Sequence, residues 1–268
     1  VSTAPAAASP VAGYAIALGD DALVAAQRLG EWIAAAPQIE EDVALGNIAL
    51  DLLGQARSLL SYAGSLLEPP RSEDDLAYWR DAGELRNVQL VERPWTLDPA
   101  ADPEDRDFGV AVVRLLLLAT YQHELYRRLQ DGADPTLAAV AAKAVKEVDY
   151  HRDHATLWVL RLGDGTEESH RRVQHALDAE WPYLEELFAP LPDDLSDLVG
   201  ARVAVDPAEL REPVTASLTA VLAEATLIVP HDPGHAVGAG RRGEHTPALH
   251  RLLEDLQVVA RAHPGATW

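Results

Sequence analysis

Apolar residues recur every three or four positions along most of the chain, and no two segments alternate apolar and polar residues as paired strands would. The pattern predicts an all-α fold. A first helix is predicted to open at Gly19-Asp20 and to run to about Ala35, closed by Pro37. A long second helix covers 39–67 and stops before Pro69-Pro70. Glu40, Glu41 and Asp42 fall in its first turn, where carboxylates favour the positive end of the helix dipole. Shorter helical pieces are predicted over 73–81 and 84–91. A Pro- and Asp-rich connector, 94–107, then leads into an apolar helix over 108–130. Asp134-Pro135 reads as an N-cap followed by proline at the first helical position, opening a helix that reaches Leu162. A Gly-rich turn, 163–166, is followed by a helix over 167–188 with a kink at Pro182. Asp206-Pro207, with Glu209 three residues past the cap, and Thr246-Pro247 open two more, the last ending near Ala262. Between these two lies a Gly-, His- and Arg-rich loop, 231–245. No repeat or linker divides the chain, so residues 18–268 are expected to form a single domain. Residues 1–17, which open rich in Ala, Pro and Ser, are expected to be a disordered tail.

Composition narrows the function. The chain has 268 residues, 48% hydrophobic and 24% charged, which is globular rather than disordered composition. Its 22 Lys and Arg against 43 Asp and Glu give a net charge of −21. So acidic a surface repels phosphate backbones and anionic lipid, which argues against nucleic-acid and membrane-surface roles. Cysteine is absent, excluding disulfides, zinc ribbons, thiol catalysis and iron–sulfur clusters. No apolar run is long enough to span a bilayer, and the expected location is cytoplasmic.

Stepping along 39–67 by three and four residues places Leu45, Ile48, Leu52, Gln55, Leu59, Tyr62 and Leu66 on one face. The same exercise on 135–162 aligns Leu137, Ala141, Ala144, Val148, His151, Ala155, Trp158 and Leu162. Each stripe thus carries an i, i+3 pair, Leu52/Gln55 and Val148/His151. Ferritin-like di-metal bundles place Glu-x-x-His at that spacing on two helices and one Glu on each of the other two. The fold expected is therefore a ferritin-like helical bundle with additional helices, its ligand slots present but mostly emptied. Leu52 and Val148 stand where bridging carboxylates are needed, and a di-iron pair cannot balance its charge on one imidazole. No metal ligand and no catalytic residue is assigned.

Other groups read more simply as structure. His151 on an apolar face is first a packed, hydrogen-bonded core residue. Lys143, Glu147 and His151 follow at i, i+4 spacing, which a charge ladder explains. Glu167 and His170 form a literal Glu-x-x-His, but in a first helical turn, where acidic residues serve the helix end. Glu31 and the His123-Glu124 pair are the remaining sources of a bundle carboxylate, though both have polar neighbours. His231, His235, His245 and His250 match no zinc spacing. Arg241-Arg242, just ahead of a helix, is a candidate for holding an anion or for a contact between protein chains.

Four separated blocks, 18–64, 78–94, 146–188 and 243–268, resemble in order the C subunits of ring 1,2-phenylacetyl-CoA epoxidases. The connector 95–107 departs, being longer and more acidic than is usual in that family. The resemblance implies a bacterial multicomponent monooxygenase of phenylacetate degradation. In it a ferritin-like di-iron A subunit epoxidises the ring, and the related C subunit has lost the iron site and supports A. A B subunit joins these units, and a reductase supplies electrons. For this chain the resemblance implies no cofactor of its own. Leu52 and Val148 then stand for lost glutamates, Gln55 for a lost histidine, and His151 is a vestige. The alternative is a catalytically competent di-iron oxygenase that assembles carboxylates from Glu31, Glu124 and Glu147.

Overall fold

The computed structural model describes residues 9–98, 105–231 and 237–266. Four long helices carry the fold: α1 (Pro10–Gly30), α2 (Ile39–Ser65), and later α5 (Phe108–Leu129) and α6 (Pro135–Gly163). Between the two pairs lie the short α3 (Glu73–Tyr78) and α4 (Gln89–Glu92). Beyond α6 come α7 (Glu167–Glu180), α8 (Leu184–Leu187), α9 (Asp197–Gly200), α10 (Ala208–Glu224) and α11 (Pro247–Ala262). No strand occurs among the described residues, only an isolated bridge between Ala239 and Glu244. This is the expected all-α, ferritin-like bundle with additional helices.

Short connections fold α1 onto α2 and α5 onto α6 as hairpins, and the hairpins meet along α2 and α6. Tyr62 Oη donates to Asp134 Oδ2 at 2.6 Å, and Gln55 Nε2 to Glu147 Oε2 at 3.1 Å. Further along, His151 Nε2 reaches Asp51 Oδ2 at 3.1 Å. As the α2 number falls the α6 number rises, so these two helices run antiparallel. Their ends follow local chemistry. Asp134 accepts from Thr136 N and Leu137 N with Pro135 at the first position, and Thr166 and Ser169 form a capping box on α7. Asp206 Oδ1 accepts from Ala208 N ahead of α10, without a reciprocal bond from Glu209.

Three expectations need correction. The first helix begins at Pro10, not at Gly19, so the tail reading fails for 10–17, where Tyr14, Ala15 and Ala17 are buried; residues 1–8 lie outside the described residues. Alanine-rich sequence favours helix there. Burial on nearly every side removes the polar contrast that marks a helix start. The predicted helix over 167–188 is broken: α7 ends at Glu180, and a 3₁₀ turn at Trp181–Tyr183 carries Pro182, which lacks the amide to continue the α-helical ladder. The piece expected over 84–91 is a 3₁₀ turn at Ala82–Glu84 followed, after an extended stretch, by α4. Among the described residues no helix is long and apolar enough to cross a membrane.

Candidate functional site

The two predicted stripes face the core. Leu45, Ile48, Leu52, Gln55 and Leu59 are buried on α2, and Leu137, Ala141, Ala144, Val148, His151 and Ala155 on α6, while Tyr62, Leu66, Trp158 and Leu162 are half-buried. Leu52, Val148 and His151 are each fully excluded from solvent. The polar members are engaged across the helix pair. Glu147 accepts from Gln55 through Oε2 and pairs with Lys143 Nζ through Oε1 at 2.6 Å. His151 leans instead on Asp51, so the i, i+4 spacing of Glu147 and His151 serves two separate inter-helical contacts. Burial, the larger influence, holds the His151 imidazole below the usual histidine range, against the pull of Asp51. Nearer the far end of the ladder, His154 Nε2 lies 3.0 Å from Glu41 Oε2. Asp51 and His154 are not among the residues singled out from the sequence, and Glu41 was read there only as a first-turn carboxylate. Their signal was only a position flanking the apolar stripes.

A di-iron pair requires inward carboxylates from all four long helices. The donor set here does not fit one. Glu31 lies just past α1 and pairs with Arg28 at 2.7 Å, and Glu124 on α5 is held by Arg127 at 2.9 Å and by Arg128. Glu147 is occupied as above, so the three carboxylates sit in separate ion pairs. His151 Nδ1 and Gln55 Oε1 are buried without a partner among the described residues, an imidazole and an amide that bring no negative charge. Among those residues no three His, Asp or Glu side chains converge as a metal cage would.

The remaining candidates are structural. His170 Nδ1 meets the Gly163 carbonyl at 2.7 Å, closing the turn before α7, and Glu167 sits in that helix's first turn. His235 lies outside the described residues, His231 is exposed, and His250 sits 3.3 Å from the Thr246 carbonyl of its own helix start. His245 has a sharper role: its Nδ1 donates to Glu92 Oε2 at 2.7 Å, and Glu92 also accepts from Asn87 Nδ2 and Thr246 N. Arg241 is not free for a foreign anion, because its guanidinium pairs with Asp21 and donates to the carbonyls of Ala17 and Arg86. Gly240 lets that loop close, since a Cβ there would stand 2.0 Å from the Asn87 carbonyl oxygen. Gly19-Asp20-Asp21 is thus no helix start. Asp20 and Asp21 lie within α1 as counter-ions, Asp20 accepting from Arg80 Nη1 at 2.9 Å and from Arg86 N at 2.8 Å.

Burial works to lower the His245 pKa, but the Glu92 carboxylate outweighs it and the net shift is upward. A histidine raised in the folded state stabilises fully below its unfolded value of about 6.5, and that contribution is lost as pH rises through the folded value. We expect the stability gap between the natural chain and His245→Gln, measured by urea unfolding, to be larger at pH 6 than at pH 9. An equal gap at both would exclude a charged His245.

The bundle and its occupied slots define a class: a ferritin-like four-helix protein with an apolar and amide-filled centre. The family described as phenylacetic acid catabolic protein matches residues 2–268, and the chain belongs to that family. It is 40% identical over 255 residues to the C subunit of the 1,2-phenylacetyl-CoA epoxidase of Escherichia coli K12, covering 95% of this chain and 98% of that protein.

Proposed function

We propose that this chain is a structural, non-catalytic subunit of a phenylacetyl-CoA 1,2-epoxidase complex in aerobic phenylacetate degradation. It holds no iron and packs against a di-iron catalytic A subunit, which it keeps rigid. A B subunit and a reductase join through the complex. The observation that carries this reading is the content of the four slots. Hydrocarbon fills two of them, and the amide and imidazole of the others are tied to Glu147 and Asp51 rather than converging. Apolar and amide groups remove the cost of burying acids that lack a metal to neutralise them.

The outer faces of α2 and α6 supply the means of pairing. On α2, Ile39, Val43, Leu50 and Leu53 are exposed at helical spacing, and on α6 Tyr150 and Leu157. Leu50 is 65% and Leu157 67% exposed. An apolar stripe on two adjoining helices, opposite the core, is the surface a related bundle would cover. Leu50→Asp combined with Leu157→Asp is expected to abolish co-elution with the catalytic subunit in size-exclusion chromatography. The isolated chain should stay within about 0.5 kcal/mol of its original stability, as exposed substitutions do. Unchanged co-elution of the double variant would place the pairing surface elsewhere.

A further inference from the structure

A cavity of about 320 Å³ lies away from the α2–α6 slots, walled by α1, α5 and the segments around 186–195 and 205–207. Its apolar floor includes Leu18, Leu125, Leu187 and Leu195. Two buried phenols, Tyr14 and Tyr121, open onto it. Burial pushes the Tyr14 hydroxyl up to about 12, against a bond from the Val205 amide, and pushes Tyr121 up as well. Both therefore remain protonated and able to donate. Tyr14 Oη accepts from Val205 N at 3.4 Å, and no acceptor for its own proton occurs among the described residues.

The charged lining is uneven. Glu186 accepts from Gln89 N at 2.8 Å and Arg241 N at 3.3 Å, burial pushes its carboxyl above the usual range, and Arg241 is paired with Asp21. Asp194 also lines the cavity. Two of the lining cations are less committed. Arg86 uses Nη1 on two carbonyls of its own loop, and Arg242 Nε stays 3.6 Å from Glu244, beyond hydrogen-bond reach, with its side chain 70% exposed. In a protein of net charge −21, a ligand-sized cavity of mixed polar and apolar lining, with Arg86 and Arg242 beside it and phenol donors inside, is a distinctive combination.

We propose that this cavity binds a small amphipathic monocarboxylate. Its apolar body, about the bulk of one ring or a short branched chain, occupies the leucine floor. Its carboxylate sits at the mouth against Arg242 and Arg86, where a guanidinium can grip both oxygens. The site shares no residue with the degenerate slots and does not depend on the scaffold reading.

Calorimetric titration of the full chain with 3-phenylpropanoate, and in parallel with its uncharged amide, tests the assignment. Saturable one-to-one binding of the acid, at least tenfold weaker for the amide, is expected. Arg242→Gln, an exposed change, should weaken acid binding about tenfold. Leu191→Trp, which plugs the rim from a half-buried position, should remove it while thermal unfolding shows a folded chain. Absence of saturable binding, equal affinity for acid and amide, or binding untouched by both substitutions would overturn the proposal.

Discussion

Glu180→Leu is expected to cost about 3–5 kcal/mol of stability, because it strands a buried guanidinium. Glu180 is fully buried and takes two bonds from Arg114, Nε to Oε2 at 3.0 Å and Nη2 to Oε1 at 3.1 Å. Arg93 Nε adds a third at 2.9 Å. Arg114 is buried, whereas Arg93 is partly exposed and lies over the Tyr183 ring at 3.9 Å. The loss should therefore come mainly from Arg114. Adding Arg114→Leu to Glu180→Leu should recover much of the deficit, since a hydrophobic pair can replace a buried ion pair at little net cost. Urea unfolding of the two single variants and the double gives the coupling. Additive losses would mean that the pair does not act as a unit.

Leu52→Glu carries a comparable penalty and bears on the slots directly. Leu52 has no exposure, and the nearest polar slot residues, Gln55 and His151, are already engaged by carboxylates. A new carboxyl there has neither a cation nor a metal, so its folded pKa must rise above the unfolded value of about 4.3. Below that value folded and unfolded states are both protonated and the charge penalty vanishes. It grows as pH rises through the folded value, reaching about 3–5 kcal/mol at pH 8. Leu52→Gln should lack this pH dependence. A Leu52→Glu protein as stable as the natural chain at pH 8, and loaded with iron, would show the slot to be a working cradle.

The parts legible in the sequence share a physical character. α2 and α6 are long and amphipathic, so a step of three or four residues finds their buried faces, and Asp134-Pro135 and Thr166 mark ends through chemistry confined to a few neighbours. Leu52, Gln55, Val148 and His151 were visible for the same reason. The structure places all four in the core. What escaped depends on distant partners. Asp20-Asp21 reads as a helix start because acids favour first turns, yet the two are buried by Arg80 and Arg241, which approach from remote segments. Local spacing carries no trace of such pairs. The Asp51–His151 contact is hidden similarly, because only the antiparallel pairing of α2 with α6 brings the two together.

On the proposed reading, α2 and α6 keep the geometry of a metal-binding bundle while their slots no longer grip metal. Counting iron on the separately purified chain, with oxygen-dependent turnover measured before and after mixing with the catalytic subunit, tests it most directly. Far less than one iron per chain and no turnover by the chain alone are expected, with activity appearing only in the mixture. Two irons per chain together with turnover by the chain alone would contradict it.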